Sequence, residues 1–178
     1  MTIRIAFLRA VNLGTRRVEM RRLVDVVLGL GHDDVWTHVN SGNVVFRAAA
    51  NRTEIEKRIE GALEDAFGFE VTTMVRTATE LRRAVTLEPF PVAPGDTYFV
   101  TFLKDSPSKA QAKALEALSN DFDTLVVKGR DVHWRMRGKS TDTTLKTKLW
   151  DDIVGHHRST SRNTNMLRTL MDKIEQRG

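Results

Sequence analysis

The chain contains no cysteine, which excludes disulfides, thiolate nucleophiles and every zinc site built on cysteine. Prolines number four, and three of them fall together at Pro89, Pro91 and Pro94, so helices and strands elsewhere run almost without that interruption. Aromatic residues make up only 7%. Neither NVVFR nor DVHWRMR carries the row of stacking rings that an RNA-recognition sheet presents on such a strand. No apolar run approaches the roughly 18 residues of a membrane span. The start MTIRIAFLRA is too short and too charged for a secretory leader. A cytoplasmic protein without a membrane partner is expected.

At 178 residues and 40% hydrophobic, the chain can bury one large core or two smaller ones of about 90 residues each. Its formal charge is +5, of which +1 falls in residues 1–88 and +4 in residues 89–178. That asymmetry leaves nucleic-acid binding through the basic second half open as an alternative function, against the plainer reading of a solvated basic surface.

Hydrophobic periodicity orders the first half. Ile3, Ile5 and Phe7 alternate along a strand whose two faces are largely apolar. Residues 19–30 place Met20, Leu23, Val24, Val27 and Leu28 on one helical stripe, with Gly29 and Gly31 as the stop. Residues 35–39 and 44–47 read as short strands around NSGN, residues 53–67 as a second helix, and residues 71–76 as a fourth strand. The order β-α-β-β-α-β is that of a ferredoxin-like unit.

A helix over residues 79–87 closes this first unit, residues 1–88, and the proline segment, residues 89–96, reads as an extended linker. Beyond it, residues 97–178 repeat the pattern with a strand (97–103), a helix (108–118), a hairpin about Gly129 (125–128 and 132–136) and a helix (143–153). A final helix over residues 159–176 follows, with Thr160 or Ser161 as its N-cap. The expected class is α+β: two ferredoxin-like (alpha-beta plait) units, each an antiparallel sheet with helices on one face, plus a C-terminal helix.

That topology puts the loop after the first strand and the hairpin between the second and third strands at one end of a sheet. Arg9 and Asn12 of LRAVNLG then lie beside Ser41 and Asn43 of NSGN. Arg9 offers a planar fork of donors, and Ser41 and the Gly42 backbone offer neutral ones. Such a corner suits an anion or a polar group, yet Asn and Gly are also what a tight turn uses for positive φ. Both readings of NSGN stay open. RGKST at residues 137–141 has His133 where a Walker loop needs its first glycine, and Gly29-Leu30-Gly31 lacks the third glycine of a dinucleotide fingerprint. His156 and His157 are neighbours without a supporting ligand set. In the second half His133, Arg135 and Arg137 share one strand face and imply an open basic surface. The residues name no cofactor, no metal and no acid, base or nucleophile, so catalysis is left undecided.

Three stretches, LRAVNLG at residues 8–14, VNSGNVVF at 39–46 and TSRNTN at 160–165, together resemble a bacterial family catalogued as domain of unknown function 1697. The resemblance spans the whole chain and implies a pair of alpha-beta plaits, without implying a reaction. It draws attention to Arg9, Asn12, Gly14, Ser41, Gly42, Asn43, Arg162, Asn163 and Asn165. The chain departs from the family pattern at Ala10 and Thr15, where glycine is usual, at Thr164, where an aromatic is common, and at Met166, where threonine is common. The expected function is binding of an anionic or polar small molecule at a cleft formed by the three motifs, through Arg9, Asn12, Ser41, Gly42, Asn43, Arg162, Asn163 and Asn165. Nucleic-acid binding and a dimerising structural module are the alternatives. Thr160, Ser161 and Asn163 are equally what a helix start wants, and Arg162 is equally suited to docking the last helix.

Overall fold

The structure is a computed structural model that describes all 178 residues. The chain divides into two compact units, Met1–Glu80 and Leu81–Gly178. The first runs β1 (Thr2–Leu8), α1 (Met20–Gly29), β2 (Asp33–Thr37), β3 (Asn43–Ala48), α2 (Arg52–Phe67) and β4 (Thr73–Thr77). Its four strands form one antiparallel sheet in the order β2-β3-β1-β4.

The pleat explains the core. Ala6 and Leu8 of β1 point to the same side as Val44 and Phe46 of β3 and pack against Leu23, Val27, Ile55, Ile59 and Leu63 of the helices. Ile55, Ile59 and Leu63 are fully buried, and burial of each such side chain contributes roughly 1.5–3 kcal/mol. The Asn51 side chain caps α2 by accepting the Glu54 amide at 3.0 Å, and Gly68 ends it at φ 78°. Two carboxylates beside the apolar stripe close the edge of the sheet. Glu56 Oε1 accepts the Val75 amide at 2.9 Å and Glu60 Oε1 the Thr73 amide at 2.8 Å, so β4 presents fewer bare N–H groups.

Helix α3 (Ala78–Thr86) carries the chain into the second unit. There β5 (Thr97–Leu103), α4 (Lys109–Glu116), β6 (Asp123–Lys128), β7 (Asp131–Met136), α5 (Thr147–Val154) and β8 (Ser159–Asn163) precede α6 (Thr164–Arg177). The sheet order β6-β7-β5-β8 repeats the first topology. Its core gathers Leu103, Leu115, Leu125, Val132, Trp134, Met136 and Trp150. Here too a helix closes the edge, since Glu116 Oε1 accepts the Val127 amide and Ser119 Oγ the Leu125 amide.

Two sequence expectations change. Residues 159–163 are a strand rather than the first turns of the last helix, and the cap is Asn163, whose Oδ1 accepts the Asn165 amide at 2.8 Å. Ladder bonds to β5, with Ser159 opposite Leu103 and Asn163 opposite Phe99, outweigh the local preference of Ser and Thr for a helix start. Helix α5 begins at Thr147 instead of residue 143. The Thr143 hydroxyl is drawn to both oxygens of the buried Asp123 carboxylate, at 2.8 and 2.9 Å, which holds residue 143 extended. No helix is long and apolar enough to cross a membrane.

Candidate functional site

In the first unit the motifs LRAVNLG and NSGN meet. Phe7 lies opposite Asn43 and Leu8 opposite Thr73, so β1 ends where β3 and β4 begin. The Leu8 amide donates to Gly42 O and the Arg9 amide to Thr72 O, each at 2.9 Å. Gly42 sits at φ 73°, and a Cβ there would lie 2.5 Å from Val11 Cγ2 and 2.9 Å from Leu8 Cβ. Close approach of the two loops therefore requires glycine. Asn12 spans them: its Nδ2 donates to Asn40 O at 2.8 Å and its Oδ1 accepts the Val18 amide at 2.9 Å. Asn43 is fully buried and donates to His38 O at 3.0 Å and Ser41 Oγ at 2.9 Å. Arg16 ties the loop further, donating to Ala10 O and Glu70 O and lying 4.5 Å from the Phe69 ring. The amides of Asn12 and Asn43 are thus engaged with the chain itself, while Ser41 is exposed and Arg9 half-buried at the rim.

The third motif belongs to the second unit. Arg162 lies opposite Val100 on β8 and is 9% exposed. Its Nη1 donates to Thr160 Oγ1 at 2.7 Å and Ser161 O at 3.0 Å. Burial lowers its pKa to about 10, which leaves it charged at neutral pH. The Thr164 hydroxyl donates to Tyr98 O at 2.9 Å and fixes the first turn of α6 on β5.

Around that turn is a cavity of ≈ 290 Å³, at the lower end of the roughly 300–1,000 Å³ of ligand sites. One wall is the start of α6, with Asn163, Thr164, Asn165 and Arg168; the other is Glu88 and the proline segment after it, with Val92 and Asp96, continued by Thr97 and Tyr98 of β5. Arg168 Nη2 donates to Glu88 Oε1 at 2.7 Å across it. Asp96 Oδ2 accepts the Ala93 amide at 2.9 Å.

The wall formed by the proline segment is anchored. Phe90 packs edge-on against Tyr98 with ring centroids 5.0 Å apart, and Arg135 Nη1 donates to Pro91 O at 2.8 Å. The Tyr98 hydroxyl is 2.5 Å from His133 Nδ1. Burial pushes the tyrosine pKa up to about 12 and the histidine down to about 4, so at neutral pH the phenol is the donor and the neutral imidazole the acceptor.

These contacts revise one expectation. His133 and Arg135 do share a face, but they are 1% and 8% exposed, and only Arg137 is open to solvent. That face is a packed layer, and no open basic platform exists there. Of the residues singled out from sequence, Asn12, Ser41, Gly42 and Asn43 come together in the first unit with Arg9 beside them, and Asn163 and Asn165 line the cavity in the second, with Arg162 on the preceding strand. Sequence reasoning missed Glu88, Asp96, Tyr98 and Arg168. Arg168 had a signal, since it follows Asn165 by three residues and so shares its helix face.

The family described as a protein of unknown function (DUF1697) matches residues 1–133 of the chain. Among solved structures, the conserved bacterial protein SP0830 from Streptococcus pneumoniae has a similar fold, with a TM-score of 0.73 at 16% identity over 98% of this chain and 99% of that one. No curated protein matches.

Proposed function

The chain belongs to the DUF1697 family of proteins of unknown function, and from that premise we propose that it binds a small polar molecule in the cavity at the start of α6. One observation carries this reading: a ≈ 290 Å³ cavity is lined by Asn163 and Asn165, which the resemblance of TSRNTN singles out, together with Asp96 and Arg168. The committed hydrogen bonds leave usable groups over. Asn163 spends its Oδ1 on the cap and keeps its Nδ2, Asn165 keeps its whole side-chain amide, and Asp96 keeps Oδ1. Two or three charge-assisted contacts of roughly 1.5–3 kcal/mol each suffice for millimolar binding, which needs about 4 kcal/mol. Two carboxylates against one guanidinium favour a polar ligand over a simple anion. In this reading Arg162 supports β8 from beneath, and Arg9, Asn12, Ser41, Gly42 and Asn43 hold the tip of the first unit.

The test is a titration of ¹⁵N-labelled protein with millimolar glycine, glucose, succinate and inorganic phosphate, and separately with a short oligonucleotide at two salt concentrations. Amide shifts confined to Asp96 and residues 163–168, and lost in Arg168→Ala, support the proposal. Silence there, with salt-sensitive shifts at Lys139, Lys146 and Lys148 on adding oligonucleotide, would replace it by the nucleic-acid reading.

A further inference from the structure

The two walls of the cavity differ in chemistry. The wall formed by Glu88 and the proline segment contributes two carboxylates, those of Glu88 and Asp96; the α6 wall contributes the side-chain amides of Asn163 and Asn165 and the Arg168 guanidinium. Glu88 and Arg168 already meet at 2.7 Å, which leaves Asp96, whose Oδ2 accepts only the Ala93 amide, as the carboxylate of the lining without a cationic partner. Arg168 spends one of its five N–H donors on Glu88. A ligand that offers a cationic donor to the wall with Asp96 and an acceptor to the wall with Arg168 matches the charge on both sides.

Resting on the cavity being the binding site, we infer that its ligand is a small zwitterion, a free α-amino acid or a molecule with the same ammonium and carboxylate pair. The ammonium lies against Asp96, and the carboxylate against Asn163, Asn165 and Arg168. A dicarboxylate would bring a second negative charge to Asp96, and a simple amine would leave the α6 donors without an acceptor; either mismatch costs affinity. Val92 is the one aliphatic side chain of the lining, so there is little apolar surface for a large side chain and small amino acids fit best.

The experiment compares alanine with N-acetylalanine, alanine methyl ester, succinate and glucose by ¹⁵N chemical-shift titration of the full chain. Alanine is expected to move the Asp96, Asn163 and Asn165 signals, and blocking either end is expected to weaken binding at least tenfold. Asp96→Asn should abolish the penalty for losing the ammonium, and Arg168→Gln the penalty for losing the carboxylate. Thermal melts of both variants are expected to match the parent, because the affected pairs are at the surface. If succinate or glucose moves the same signals as well as alanine does, the zwitterion assignment fails and the cavity remains a binding site. If no solute moves them, both fail.

Discussion

Gly42 shows how a single missing side chain joins two loops. The position combines φ 73° with a virtual Cβ 2.5 Å from Val11 Cγ2, so alanine there meets both a left-handed backbone penalty and a steric clash. Gly42→Ala is expected to lower unfolding free energy by roughly 2–4 kcal/mol. Gly14, at φ 57° with nothing within 4 Å, separates the two causes: Gly14→Ala should cost only about 1–2 kcal/mol. Urea denaturation of the pair measures the difference, and equal losses would remove the clash from the explanation. The reverse case is Ala10, a non-glycine residue at φ 52° where the family resemblance leads one to expect glycine. Relief of the left-handed penalty exceeds the added freedom of the unfolded chain, so Ala10→Gly should stabilise by roughly 0.5–1 kcal/mol. A lower denaturation midpoint for this variant would contradict the assigned strain. Thr15, where glycine is also usual, has no positive φ, and nothing in the local backbone explains the preference there.

At the scale of elements, sheet edges are finished by side chains from the helix beside them. Glu56 is 2% exposed, accepts the Val75 amide and pairs with Arg52 Nη1 at 2.9 Å. Glu56→Ala leaves a buried amide without its acceptor, which costs roughly 1–3 kcal/mol. Hydrogen exchange at Val75 should accelerate in this variant while exchange at Val45, in the interior strand β3, changes only with global stability; unchanged exchange at Val75 would refute the edge role. The helices and most strands were legible because each repeats its apolar residues with its own period, as Ile55, Ile59 and Leu63 do on α2. Strand β8 was not, because STSRN reads locally as a helix start and becomes a strand only through pairing with β5. The site divided in the same way. Asn163 and Asn165 were reached through the resemblance of TSRNTN, whereas Asp96 lies in, and Glu88 directly before, a proline segment that looks like a linker until Phe90 and Pro91 are seen anchored to Tyr98 and Arg135.

Over the whole molecule, the order of elements repeats although the residues do not; periodicity alone carried that order through the first unit and through α5 of the second, and only pairing with β5 completes it with β8. The second unit spends its buried polar groups differently. Its sheet carries a Tyr98–His133 pair with the imidazole pKa lowered by burial to about 4, and in the first unit burial also lowers that of His32, which stacks on Phe46 at 4.8 Å. Both histidines bind fewer protons folded than unfolded. Stability from them is therefore complete above the unfolded pKa of about 6.5 and is lost as pH falls. For His133 the loss continues down to about pH 4, a total on the order of 3 kcal/mol at roughly 1.4 kcal/mol per pH unit. Carboxylates begin to titrate near the bottom of this window, so the comparison must be with a variant. His133→Phe keeps a ring in the layer and removes the proton site, though it leaves the Tyr98 hydroxyl without this acceptor. The variant should be less stable than the parent at pH 7.5, and the gap should narrow or reverse by pH 4.5. Urea midpoints at several pH values measure it: a gap that stays constant across the window would show that His133 takes up its proton equally in the folded and unfolded chain, and would remove it as a source of acid sensitivity.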